Sequence, residues 1–261
     1  MTGDRWEPRV ERFVDSHYSS IRGQVRLHTA RRQLEMFVPD GPLEIVDVGG
    51  GAGTNSIPWA RAGHTVTIVD SSPAMLDRAG EAITAEPDEI ATRIALHHGR
   101  AEDAPAELSR RFDVVICHGV IMYLEDPAPL LDALAALCRQ GGCLSLIAKS
   151  RLGLPLVPAQ EGRWEEVIAA FDATGEVNRL GLPTRADTVE GLTADLEGRG
   201  FKVLDWFGVR LFSDGSLGDE PPDDDFDALL EAEFEASRRD PYRQMSRLFH
   251  LVARRTTRSA A

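Results

Sequence analysis

The chain has 261 residues, 43% hydrophobic and 27% charged, which suits one α/β domain with a sizeable core. No apolar run approaches the ~20 residues of a membrane helix, and Met1 to Arg12 has charges where a secretory h-region would stand, so a cytoplasmic protein is expected. A net charge of −13 excludes indiscriminate nucleic-acid binding, and Cys117, Cys138 and Cys143, without a Cys-x-x-Cys pair, are expected to be reduced core thiols with no metal site.

Residues 5–38 read as helical, with Phe13, Val14, Val25, Leu27, Leu34 and Phe37 as apolar positions and Gly23 as a break between two helices. Leu43 to Val48 is a short strand running into glycines. Residues 55–62 fit a helix capped by Thr54 or Asn55, with Pro58 in its first turn. Thr65 to Val69 is a β-branched strand ending at Asp70, and Ser72 to Thr84 fits a helix capped by Ser71 or Ser72. Ile94 to His97 and Asp113 to Cys117 read as strands three and four, Pro129 to Arg139 as a helix, Gly141-Gly142 as a turn and Cys143 to Ala148 as strand five. Gly162 to Thr174 is amphipathic, Thr188 to Gly198 fits a helix, Phe201 to Phe212 holds a sixth strand, Phe226 to Ser237 is an acidic helix and Leu248 to Arg254 is a last strand. This alternation predicts a mostly parallel sheet with helices on both faces. The span from Asp240 to Leu248 is short for a crossover helix, so the last strand is expected to run antiparallel near the edge. One domain is expected: a helical lid (1–40), a cofactor core (41–150), a substrate-side insertion (151–200) and C-terminal strands and helix (201–255).

The main chemical signal is Asp47-Val-Gly49-Gly50-Gly51-Ala52-Gly53, between a strand and a helix. Glycines there let the backbone approach a ligand and take φ > 0, and the helix start offers N–H groups. Asp70, ending the next strand, can accept both ribose hydroxyls of an adenosine. A nicotinamide fingerprint would need a small third residue where Thr54 stands. An acid two residues before the first glycine repels a pyrophosphate and suits a ligand with a cationic amino-acid end, such as S-adenosylmethionine. Ala101 leaves room for a flat adenine, with Glu102 or Asp103 to accept its amino group. His118 ends strand four at the carboxyl edge, where ligands of such sheets bind.

Charge is uneven toward the C-terminus. Asp219, Glu220, Asp223, Asp224, Asp225 and Asp227 precede Arg238, Arg239, Arg243, Arg247, Arg254, Arg255 and Arg258. Two readings stand: a solvated acidic loop with a basic tail, or an arginine face that meets an anionic substrate.

These residues resemble the class I S-adenosylmethionine-dependent methyltransferases, and more closely the bacterial tRNA 5-carboxymethoxyuridine methyltransferases, over roughly residues 8–255. The distinctive segments are Tyr18 with Gly23-Gln24-Val25-Arg26, His118-Gly-Val-Ile-Met-Tyr123, Gly208-Val-Arg210-Leu-Phe212 and Asp240-Pro-Tyr242. The resemblance implies a Rossmann-like fold with a seven-stranded sheet. It also implies cofactor contacts from Arg26, Gly49, Gly50, Asp70, Ala101, Glu102 and His118. Arg26, on an N-terminal lid helix, is suited to pair with the cofactor carboxylate. After strand five the chain reads Ala148-Lys149-Ser150-Arg151, where the tRNA enzymes carry an aromatic–Asn pattern, and Leu152 to Thr188 matches poorly.

The implied reaction turns a wobble-uridine carboxymethoxy group into its methyl ester. A carboxylate with a pKa near ~4 is already ionised, so no general base is required. Lys149, Arg210 and Arg243 are candidates to hold it. The rivals are a small-molecule O- or N-methyltransferase and a non-catalytic cofactor-binding protein.

Overall fold

The computed structural model describes residues 20–178, 180–214 and 225–256. Expectations for residues 5–19, Tyr18, the acids Asp219, Glu220, Asp223 and Asp224, and Arg258 lie outside the described residues.

Helix α1 spans Ile21–Glu35, and Ser20 caps it by accepting from the Gly23 amide. Gly23 therefore lies in the first turn of a helix and does not divide two helices. The helix starts at its Ser20 cap, where a hydroxyl meets an orphan amide.

The chain then alternates β1 (Glu44–Val48), α2 (Ile57–Arg61), β2 (Thr65–Asp70), α3 (Pro73–Thr84), α4 (Asp88–Ala91), β3 (Ile94–His98), α5 (Ala104–Leu108) and β4 (Phe112–His118). Helix α6 (Ala128–Leu137) runs directly into β5 (Cys138–Lys149). The expected Gly141-Gly142 turn is thus part of an extended strand. Gly141 takes a positive φ of 76°, and the pairing register shifts between Phe112 and Val114. The strand absorbs its glycines as an irregularity beside β4.

After β5 come α7 (Leu156–Gln160), α8 (Trp164–Ala170), a hairpin of β6 (Gly175–Val177) and β7 (Pro183–Arg185), then α9 (Val189–Glu197), β8 (Phe201–Val209), α10 (Phe226–Ser237) and β9 (Leu248–Arg255). The main sheet has the order β3-β2-β1-β4-β5-β9-β8. Strands β1 to β5 pair in parallel, while β9 runs antiparallel to both neighbours. The expected antiparallel last strand is present, one position in from the edge, with β8 outside it.

Both faces of the central sheet are covered, so β1, β4 and the second half of β5 are largely buried and mostly apolar, while the edge strands β3 and β8 keep exposed positions. Val46, Val48, Val115, Leu144 and Leu146 pack toward Leu130, Leu134 and Leu192. Ile45, Ile68, Val114 and Ile116 pack toward Trp59, Leu76 and Leu34. Cys117, Cys138 and Cys143 are free and buried, as expected. Burial pushes the Cys138 thiol up to about 12 and the Cys143 thiol up to about 11, which makes both inert. Among the described residues no helix is long and apolar enough to cross a membrane.

Candidate active site

The site lies at the carboxyl edge of the parallel strands, where the strand order reverses around β1 and β4. Gly49, Gly51 and Gly53 take φ of 73°, 54° and 76°. A Cβ on Gly49 would stand 2.3 Å from Val120 Cγ2, and one on Gly50 would stand 2.9 Å from Asp47 Cγ. Gly49 is therefore restricted to glycine by space and by dihedral, Gly50 by space, and Gly51 and Gly53 by dihedral. The Gly49 amide donates to the Val69 carbonyl at 2.7 Å, which closes the loop onto β2.

Asp70 accepts from the Gly51 amide and from the Ser72 amide, each at 2.9 Å. One amide expected to serve a ligand directly thus orients the carboxylate instead. Ser72 caps α3 as predicted, with its side chain accepting from the Met75 amide.

Asp47 is 2% exposed. Ser56 Oγ donates to Asp47 Oδ2 at 2.6 Å and Asn55 Nδ2 donates to the same oxygen at 3.3 Å. The cap of α2 is Ser56, not Thr54 or Asn55, and it makes no side-chain capping bond, because the Asn55 and Ser56 side chains both turn to Asp47. Burial pushes the Asp47 carboxyl up to about 6, against the pull of its two donors.

Arg26, Leu27, Asp47, Gly49, Gly50, Asn55 and His118 line one pocket. Arg26 projects from α1 and is buried. Ala101 and Glu102 stand in the turn after β3, where Glu102 accepts from Arg100 at 3.1 Å. They are half-buried and do not line the small pocket around Asp47. His118 Nε2 is 2.6 Å from Ser145 Oγ, and desolvation holds the ring well below the usual histidine range, so it is neutral.

Further along the same edge, strand register brings three cations into a row. Lys149 on β5 faces Leu248 on β9, which faces Val209 on β8. Arg247 and Arg210 flank those partners, and the Arg247 amide donates to the Arg210 carbonyl at 3.2 Å. Glu176, from the β6–β7 hairpin, bridges the row: Lys149 Nζ donates to it at 2.6 Å, and Arg247 pairs with the same oxygen at 2.5 Å. Burial pulls the Lys149 ammonium below the usual lysine range, against the Glu176 charge. Arg210 pairs with Asp214, takes a left-handed φ of 64° and keeps a buried Nε with no partner. Arg243 lies elsewhere, stacked 4.2 Å from the Trp206 ring and paired with Asp240 at 2.8 Å.

Among the described residues, the other arginines of the C-terminal run form no single anion face. Arg238 and Arg239 pair with Glu235, Arg254 donates to the Phe37 carbonyl, and Arg255 donates to the Arg199 carbonyl. The amphipathic stretch folds as the short helix α8. Its apolar residues Trp164, Ile168 and Phe171 are 65%, 71% and 68% exposed, so they build no core.

A methyltransferase-domain family, Methyltransf_12, matches residues 46–144. The chain is 30% identical over 258 residues to the tRNA 5-carboxymethoxyuridine methyltransferase of Escherichia coli (strain K12), covering 98% of this chain and 97% of that protein. The chain belongs to the class I S-adenosylmethionine-dependent methyltransferases. Within them it falls in the family of that E. coli enzyme, and it is a methyltransferase whose cofactor is S-adenosylmethionine. It is also 33% identical over 170 residues to a ubiquinone biosynthesis O-methyltransferase of Caulobacter sp. (strain K31), covering 62% of this chain and 64% of that one. The fold matches the CcbJ methyltransferase of Streptomyces caelestis with a TM-score of 0.61 at 15% identity, over 88% of this chain and 90% of that one. It also matches the magnesium protoporphyrin IX methyltransferase of Synechocystis PCC 6803, with a TM-score of 0.57 at 17% identity, over 90% and 86%.

The methyltransferase pocket suits this cofactor on its own chemistry. Gly49 and Gly50 leave no room for a Cβ, Asp47 is a buried carboxylate beside a neutral His118, and Asp70 is a carboxylate held by two backbone amides, a set compatible with a cationic amino-acid end and a hydroxyl-bearing sugar. Sequence reasoning missed Asn55 and Ser56 as partners of Asp47, and Arg247 and Glu176 as members of the cation row. The signal for the first pair was available, since both follow the loop directly. The second pair had none, because Glu176 and Arg247 meet only through the hairpin and β9.

Proposed function

We propose that this methyltransferase esterifies a carboxylate, that of 5-carboxymethoxyuridine in tRNA. S-adenosylmethionine supplies an electrophilic methyl group on a sulfonium. In this reading Asp47, Arg26 and His118 hold the amino-acid end of the cofactor over the glycine loop. Asp70 holds the ribose, and Ala101 and Glu102 flank the adenine. Beyond His118, the row of Lys149, Arg247 and Arg210 orients the acceptor carboxylate. That carboxylate is ionised at neutral pH, so alignment rather than proton removal is the protein's task.

The observation that carries this reading is the cation row itself, and within it Arg210. Its buried Nε has no partner, a cost that an incoming anion would relieve, and its left-handed φ marks a backbone held in place by its surroundings. Similarity to the E. coli enzyme from end to end, including the C-terminal part that bears Arg210 and Arg247, supports it. Arg243 is left out, because Trp206, Asp205 and Asp240 engage it. A second reading, small-molecule O-methylation, is favoured by the net charge of −13.

The test is nucleoside mass spectrometry of tRNA from a strain lacking the gene. Loss of the methyl ester with accumulation of its carboxylate is expected. Intact ester would move the assignment to a small acceptor. Calorimetry with S-adenosylhomocysteine checks the cofactor half separately: Asp70→Ala should weaken binding at least about tenfold, since hydrogen bonds to a charged group are lost.

A further inference from the structure

A buried chain of hydrogen bonds joins α1 to the cofactor pocket across three strands. Gln33 Nε2 donates to the Gly208 carbonyl at 3.2 Å, and Gln33 Oε1 lies 2.7 Å from His250 Nδ1. His250 Nε2 lies 2.7 Å from Ser145 Oγ, which lies 2.6 Å from His118 Nε2. Gln33, Ser145 and His250 have no exposed surface, while His118 is partly buried and lines the pocket.

One backbone carbonyl sets the direction of every proton in this chain. The Gly208 oxygen can only accept, so the amide nitrogen of Gln33 faces it and the amide oxygen faces His250. His250 Nδ1 must then carry a proton, and in the neutral ring Nε2 is a lone pair. The Ser145 hydroxyl donates to that lone pair and is left accepting on its other side. His118 Nε2 must therefore be the protonated nitrogen. Burial pushes His250 down to about 3, which keeps the ring neutral and the order of donors intact. A protonated His250 would donate from both nitrogens, turn the serine hydroxyl round and reverse the His118 tautomer.

We infer that Gln33, His250 and Ser145 are positioning residues for the cofactor, holding His118 as the Nε2–H tautomer so that Nδ1, a lone pair, is its only free ring nitrogen in the pocket. This rests on the placement of His118 at the cofactor proposed above. A fixed acceptor suits the ammonium of the methionine moiety, whereas an Nδ1–H or an imidazolium would repel it. The chain also ends in groups that pass no proton onward: beyond His250 stands only an amide. His118 is thus a fixed acceptor and not a general base, in keeping with an acceptor that needs none. The link to Gln33 ties this tautomer to the docking of α1, which also carries Arg26.

The test uses the full chain labelled with ¹⁵N-histidine. His118 should show the Nε2–H pattern, with an unprotonated Nδ1, at neutral pH. Ser145→Ala should mix the tautomers and raise the Kd for S-adenosylhomocysteine about tenfold. His250→Gln keeps one donor toward Gln33 and one acceptor toward Ser145, and should stay within about threefold of the parent. In a His118→Ala background, Ser145→Ala should change the Kd no further. An Nδ1–H tautomer in the parent protein overturns the inference, and that spectrum decides alone if Ser145→Ala fails to fold. A folded Ser145→Ala with unchanged tautomer and Kd also overturns it. Unchanged Kd in His118→Ala itself would instead remove His118 from the cofactor pocket.

Discussion

Over β1 and β2 the site is made by near neighbours in the chain: Asp47, Gly49, Gly50, Gly51, Asn55, Ser56 and Asp70 all belong to one βαβ unit. Over β5, β9 and β8 it is made by strangers. Glu176 and Arg247 are 71 positions apart, and Lys149 and Glu176 are 27 apart. The first half works through backbone conformation and one carboxylate on each side of the loop. The second is built from partly buried ion pairs to Glu176, which the hairpin β6–β7 carries. A cofactor shared by a large class of enzymes can be held by a local motif. In the proposed reading, an acceptor peculiar to one family is met by residues that only the tertiary fold brings together.

The largest effect should follow a change inside the local half. Gly49→Ala combines a left-handed φ with a Cβ overlapping Val120, and should cost about 2–4 kcal/mol in a urea melt while abolishing measurable cofactor binding. If stability and binding both survive, the loop is less constrained by space than its geometry states. In the long-range half, Glu176→Ala leaves Lys149 and Arg247 without their shared carboxylate. A loss of about 2–3 kcal/mol is expected with cofactor affinity unchanged, because the group is partly exposed and the change is remote from the loop. A parallel loss of cofactor affinity would break the separation between the two halves.

A pH series sharpens the comparison further. Asp47 holds its proton up to about 6 when folded, above the ordinary carboxyl value, so the cofactor-free protein loses stability as pH rises from about 4 through 6. A cationic cofactor end restores that loss by favouring the carboxylate. The thermal shift given by S-adenosylhomocysteine should therefore grow between about pH 5 and 7 and then level off. Asp47→Asn should flatten the profile; a profile that falls instead would show that Asp47 does not face the cation. The smallest effect belongs to Arg243→Ala, expected to cost under about 1 kcal/mol and to leave methyl transfer within about twofold, since this arginine forms a surface stack and ion pair. A large fall in turnover would extend the cation row to Arg243.

How much could be read in advance follows the same division. The bounds of α10 and the carboxyl ends of β2 and β4 are legible because hydrophobic period and capping are local. The Gly23 break and the Gly141-Gly142 turn were misread for one reason. Glycine marks permission for an unusual backbone, and only the neighbours decide whether it is used: Gly23 stays helical under the Ser20 cap, and Gly141 stays in a strand held beside β4. The stretch around α8 reads as amphipathic, and its apolar residues Trp164, Ile168 and Phe171 are exposed, which period alone does not tell.

By itself, the sequence determined the glycine loop, its two flanking acids and the class of cofactor, because strand, turn and helix there lie within a few residues of one another and answer to short-range sterics. The tertiary structure alone decided which cations stand together and how His118 is held. Gln33 and His250 are 217 positions apart, and Ser145 and His250 are 105 apart. A proton's place in such a chain depends on a carbonyl that only the packing of β8 against α1 brings within reach.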